Sequence, residues 1–180
     1  MSDFTTELKK LHELSGAEFS RQVERIALRK DFHSLDTDKE IFTVGGEGSD
    51  DYQNLLVAAR KAVEFGYRVY LLPNPTGTRT PDFILVKKEV YRTYDLKTVF
   101  GKSALVDNLL DSIGQCDSIL INMTTEYNTR KLAFAIKRYF ETNKNAVEVM
   151  LFKGRKRIVI KRAFAINKDF FTNFKKLYEK

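Results

Sequence analysis

Asp82-Phe83-Ile84-Leu85-Val86-Lys87-Lys88-Glu89-Val90-Tyr91-Arg92-Thr93-Tyr94-Asp95-Leu96-Lys97 is the stretch that decides the fold. Residues 82–86 and 90–96 are rich in β-formers, and the polar turn Lys87-Lys88-Glu89 between them is so short that the two strands must be antiparallel neighbours. Side chains alternate along a strand, so Asp95 and Lys97 project from one face and Leu96 from the other. Asp82 stands at the start of the partner strand. One hairpin thereby gathers two carboxylates and an ammonium.

Upstream, the segment from Pro73 to Pro81 holds all three prolines of the chain and predicts a loop. Tyr67-Arg68-Val69-Tyr70-Leu71-Leu72 before it reads as a strand. A helix opened by Asp50 and Asp51 precedes that strand, with Leu55, Ala59 and Val63 at helical spacing and Gly66 as its stop. Gly45-Gly46-Glu47-Gly48-Ser49-Asp50 reads as a loop and marks the expected boundary between an N-terminal helical extension, residues 1–44, and the main domain, residues 45–180. Residues 5–30 predict one or two helices broken near Ser15-Gly16.

Downstream, Ser103 can cap a helix through Leu105, Leu109 and Ile113 to about Gln115. A strand over Ser118–Met123 follows, then a helix from about Tyr127 to Phe140. Two strands, Val147–Phe152 and Arg157–Lys161, flank the turn Lys153-Gly154-Arg155, and a last helix covers 168–179. This order predicts an α/β sandwich with a central mixed sheet flanked by helices.

With 180 residues and 43% hydrophobic residues, the chain can bury one core, and no apolar run is long enough to cross a bilayer. No secretory signal is visible at Met1-Ser2-Asp3-Phe4, so a cytoplasmic site of synthesis is expected. The single cysteine, Cys116, excludes an internal disulfide and a cysteine-cluster zinc site. The formal charge of +7 is concentrated at the end of the chain. Residues 144–180 hold 11 basic and 3 acidic residues, against 7 and 9 in residues 1–44. Such a segment suits a phosphate backbone, whose affinity for Lys and Arg comes largely from counterion release. A solvated basic surface is the plainer alternative.

Two carboxylates can hold a hard cation such as Mg²⁺ while leaving some of its waters in place, and a lysine can steady the attacking water or the phosphate charge. That is the equipment of phosphodiester hydrolysis. Taken singly, Asp82 could be a turn residue after Pro81, and Asp95 and Lys97 part of a cross-strand ion-pair row. His12 and His33 lack a nearby nucleophile and suggest no acid–base pair. Gly45-Gly46-Glu47-Gly48 lacks the pattern of a phosphate loop. Tyr67, Tyr70, Tyr91 and Tyr94 suit sheet packing more than base stacking.

Thr80-Pro81-Asp82, then twelve residues, then Asp95-Leu96-Lys97 resembles the PD-(D/E)xK nuclease superfamily, which includes restriction endonucleases and many toxin nucleases. Asp51-Tyr52-Gln53-Asn54, Gly66 to Pro73 and Ile113-Gly114-Gln115-Cys116-Asp117-Ser118 look like the C-terminal tRNase domain of contact-dependent growth inhibition toxins. The resemblance covers roughly residues 47–162. It implies a restriction-endonuclease-like fold and a metal-dependent endonuclease, with RNA, tRNA in particular, slightly ahead of DNA. Asp82 and Asp95 would bind Mg²⁺ or Mn²⁺, Zn²⁺ being the remaining alternative, and Lys97 would be the catalytic lysine.

Asp51 is the expected further acid, with Glu47 a weaker substitute. An N-cap role for Asp51 stands equally open. Gln115 would orient water or substrate, or else be a solvated helix end. Arg79, Lys102, Arg155, Lys156 and Arg157 are the expected contacts to nucleic acid. An inhibitor or immunity protein is an implied partner, as is delivery into another cell. The toxin domains normally end very long secreted proteins, whereas this sequence begins with its own methionine. An excised or free-standing relative, or a biology other than toxicity, is the expectation. The competing readings are a non-catalytic nucleic-acid-binding module and a protein-interaction module on the same fold.

Overall fold

Helical periodicity in the first 27 residues produces α1 (Phe4–Lys10), a single 3-10 turn (Leu11–Glu13) and α2 (Gly16–Ala27), which turn Leu8, Leu11, Val23 and Ile26 inward. The structure, a computed structural model, describes residues 3–45, 51–75, 77–101 and 105–180. Glu47, Ser103 and Lys102 lie outside the described residues, as does most of the glycine-rich loop. The protein is α/β, as the order of elements predicts. It divides into two compact units, residues 1–95 and 96–180.

In the first unit, β1 (His33–Ser34) pairs antiparallel with β2 (Ile41–Thr43), and β2 runs parallel to β3 (Arg68–Leu71). β3 pairs antiparallel with β4 (Phe83–Lys87), which pairs antiparallel with β5 (Val90–Val99). The sheet is therefore mixed. Between β2 and β3 lies α3 (Tyr52–Glu64), closed by Gly66 at φ +83°. α3 packs on β2 and β3. Leu8, Val23 and Ile26 of the N-terminal helices share one apolar cluster with Tyr70, Leu72, Ile84 and Val86. Period-two alternation leaves Val69, Leu71, Phe83 and Leu85 for the opposite face of the sheet.

The glycine-rich loop at the expected boundary lies mostly outside the described residues. The N-terminal helices are not an appendage: they cover a face of β3 and β4 whose burial would otherwise be lost, at roughly 1.5–3 kcal/mol for each fully buried large aliphatic side chain. The division between the two compact units falls between Asp95 and Leu96, within β5.

Lys88 and Glu89 join β4 to β5 with φ of +49° and +58°. The Lys87↔Val90 pair encloses these two residues, so the turn requires left-handed backbone at both central positions without a glycine in either. L-residues adopt that conformation at a cost of order 1 kcal/mol each. Replacing Lys88→Asn together with Glu89→Gly is therefore expected to stabilise the protein by about 1 kcal/mol. A urea midpoint that stays put or falls would contradict this account of the turn.

In the second unit, α4 (Leu105–Leu110) precedes β6 (Ser118–Met123), all six of whose residues are buried. β6 runs parallel to β7 (Glu148–Lys153), which pairs antiparallel with β8 (Lys156–Lys161). α5 (Thr129–Thr142) links β6 to β7, its start capped by the Asn128 side chain accepting from the Lys131 N–H at 2.9 Å. The chain ends with α6 (Arg162–Ala165) and α7 (Phe170–Glu179). Ile119, Ile121, Val149, Leu151 and Ile160 form the core with Leu132, Ile136, Tyr139, Phe140, Phe170 and Phe174.

Arg162 ties the end of α5 to this core. Its guanidinium donates to the carbonyls of Phe140, Asn143 and Ala146. A helix end leaves carbonyls without intrahelical partners, and Arg162 supplies the missing donors.

Tyr178 of α7 is almost wholly buried, and its hydroxyl has no hydrogen-bond partner among the described residues. The Lys153 ammonium lies 3.8 Å from the ring centroid and donates to the Tyr178 backbone carbonyl instead, at 3.0 Å. Burial, with a smaller contribution from Glu126, pushes the phenol above its ordinary range. A raised phenol favours the protonated folded form, so its contribution is intact below pH 10 and is lost as pH rises through the folded value. Tyr178→Phe is expected to add about 1 kcal/mol at neutral pH and to flatten the loss of stability above pH 10. Thermal melts of both proteins from pH 7 to 11 test this, and parallel curves would refute it.

Candidate active site

The hairpin β4–β5 positions the two acids singled out by the sequence. Phe83 pairs with Tyr94. Asp82 precedes the first of these and Asp95 follows the second. The Asp82 carbonyl accepts from the Leu72 N–H at 2.9 Å, and the Asp82 N–H donates to the Tyr94 carbonyl at 2.9 Å. Tyr94 therefore faces both Asp82 and Phe83, a slip of one residue in the manner of a β-bulge. Bulges re-aim a side chain at a strand end and are common beside active sites. Plain alternation along the hairpin does not anticipate this slip.

Asp95 is buried, at 3% exposure, whereas Asp82 is half-buried. A carboxylate so far from water requires compensation by hydrogen bonds, an ion pair or a cation. The loop before Asp82 is held at both ends. The Thr80 hydroxyl donates to the Pro73 carbonyl at 3.3 Å, and His12 Nε2 donates to the Arg79 carbonyl at 2.6 Å. The latter bond gives His12 a positioning task that its sequence context did not suggest.

Lys97 follows Asp95 by two positions on β5. Asp51 is exposed at the N-cap position of α3, and its side chain makes no capping bond. Among the described residues, no group of three His, Cys, Asp or Glu side chains that could hold a metal ion is found.

Gln115 is half-buried in the turn after α4, its N–H donating to the Ser112 carbonyl at 3.0 Å. α4 ends at Leu110, short of the expected Gln115, and turns carry the chain onward to Gly114 at φ +86°. Arg79 is exposed in the proline loop. Arg155 occupies the turn between β7 and β8, and the Lys153↔Lys156 and Phe152↔Arg157 pairs set Lys156 and Arg157 beside it. Arg155 and Arg157 are exposed, so the hairpin tip presents cations to solvent. Lys161 is engaged instead with the buried Glu148. No described helix is long and apolar enough to cross a membrane.

No family model and no curated protein matches the chain. Among solved structures, the chain is similar to one described as a CdiA-CT/CdiI toxin and immunity complex from Burkholderia pseudomallei. The likeness has a TM-score of 0.39 and 17% identity, and covers 65% of this chain and 92% of that one. It is too remote to assign a family or an activity.

Proposed function

We propose that the protein is a metal-dependent endonuclease in which Asp82 and Asp95 bind the metal and Lys97 assists attack on a phosphodiester. The observation that carries this reading is the hydrogen bond from the Asp82 N–H to the carbonyl of Tyr94, the residue immediately before Asp95. It fastens the two acids to the same end of one hairpin. Mg²⁺ is commonly held by one or two carboxylates, with waters and substrate phosphates completing its shell. Two acids suit Mg²⁺ or Mn²⁺, and Zn²⁺, which more often draws three or four protein ligands, is the alternative.

When bound, the cation would polarise the phosphoryl oxygen and lower the pKa of an attacking water. Asp95, shielded from solvent, is suited to hold it with little competition from bulk water. Asp82, at the edge of the loop, supplies the second carboxylate from the more open side. Lys97 supplies a positive charge to the phosphate as negative charge builds there. RNA, tRNA first, is the favoured substrate, with DNA as the alternative. The exposed Arg79, Arg155 and Arg157, with the half-buried Lys156, would contact the backbone. The implied inhibitor protein belongs to the same reading.

Purified protein incubated with tRNA and with supercoiled plasmid in Mg²⁺, beside Asp82→Asn and Lys97→Ala, tests the proposal. Cleavage by the wild type that is lost in both variants and in EDTA is the expected result. Equal cleavage by all three proteins, or none by the wild type on either substrate, would overturn it.

A further inference from the structure

The second unit carries a groove that the proposed chemistry does not use. It runs along α5 and α7 and has two adjoining lobes of about 590 and 510 Å³ that share Asn128, Arg130 and Phe171. Phe134 and Phe171, both lining it, are 54% and 37% exposed. Two phenylalanines this open on neighbouring helices are not core residues. The buried stripe of α5 is Leu132, Ala133, Ala135 and Ile136, and Phe134 points away from it.

Cations are interleaved with these rings. Arg130, Phe134 and Lys137 follow one another at helical spacing on α5, and Phe171 and Lys175 do so on α7. The Lys137 ammonium lies 5.5 Å from the Phe171 ring centroid. Arg130 and Lys131 are both exposed. Of the two acids along the groove, Asp107 and Glu179, the second is already engaged by the Thr129 hydroxyl at 3.0 Å and Lys175 at 3.9 Å. The balance of charge is positive, and the complementary ligand is a polyanion with flat apolar groups.

We propose that this groove binds unpaired nucleic acid, with bases stacking on Phe134 and Phe171 and phosphates lying among Arg130, Lys131, Lys137 and Lys175. Open aromatic faces separated by cations are the arrangement that holds single strands without reading their sequence. Duplexes keep their bases stacked on one another and cannot use the rings, so the groove selects single-stranded segments. An acidic protein would also meet the cations, but it offers no series of planar groups to the two rings. The site lies within the second unit and concerns binding alone. It stands or falls separately from hydrolysis at Asp82 and Asp95.

Fluorescence anisotropy in EDTA, which halts metal-dependent cleavage, isolates the binding step. A short labelled oligouridylate should bind about tenfold or more tightly than an RNA duplex of the same length. Phe134→Ala with Phe171→Ala should weaken single-strand binding by about tenfold or more with an unchanged Tm, because the stacking of bases on the two rings is lost. Arg130→Ala with Lys131→Ala should lower the salt dependence of binding. Absence of binding, equal affinity for the duplex, or full affinity in the folded phenylalanine variant would overturn the proposal. Loss of cleavage in Asp82→Asn with single-strand binding intact leaves it standing.

Discussion

Asp95→Asn is expected to reduce phosphodiester cleavage on the order of a thousandfold while the protein stays folded. The substitution keeps the shape of a side chain that is only 3% exposed and removes its charge. A divalent cation held by two carboxylates loses half of its protein charge when one becomes an amide, and the several kcal/mol of charge stabilisation it brings to the transition state goes with it. Asp82→Asn should act in the same direction with a smaller effect, because solvent reaches Asp82 and water can take the vacated position.

Both variants should bind Mn²⁺ more weakly in calorimetry, with Asp95→Asn the weaker of the two. Single-turnover cleavage alongside circular dichroism separates chemistry from folding. A folded Asp95→Asn protein that cleaves within a few-fold of wild type would remove Asp95 from the mechanism, and with it the present functional reading.

Arg162→Met should destabilise the protein by about 2–4 kcal/mol. Methionine keeps much of the volume and apolar reach of the arginine stem, so the loss reports on the guanidinium. That group donates to three carbonyls at and beyond the end of α5. A hydrogen bond involving a charged group contributes roughly 1.5–3 kcal/mol, and partly buried carbonyls left without donors add to the cost. The effects are not additive, which keeps the expected loss below the simple total. Arg162→Lys should recover only part of it, since one ammonium cannot span three acceptors as a planar guanidinium does. Denaturant titration reads all three proteins. A methionine variant within about 0.5 kcal/mol of wild type would show that water serves these carbonyls equally well.

Much of the architecture was legible where an element is long and its period unbroken. Ser118–Met123 was read with the bounds observed for β6, and α5 lies within two residues of its expected limits. β1 and β2 were missed because two or three residues cannot display an alternation. The division between the two compact units falls inside β5, where no glycine or proline marks it.

At the site, the hairpin itself was legible from Lys87-Lys88-Glu89 and the flanking β-formers. The slip at Asp82 was not, since a bulge without glycine has no local signature. Phe134 could have been noticed: it interrupts the buried stripe of α5 and stands four residues after Arg130.

The bond from His12 to the carbonyl of Arg79 changes how the start of the chain should be regarded. The ends of this contact are 67 residues apart in sequence, yet one belongs to the first helical turns and the other to the loop that leads into Asp82. The opening segment is therefore a brace for the loop before Asp82 as well as a cover for the sheet. A graft of the hairpin onto another scaffold would carry the two acids but leave behind what holds the preceding loop in place. In this protein, the smallest portable piece of the site begins at the N-terminal helices.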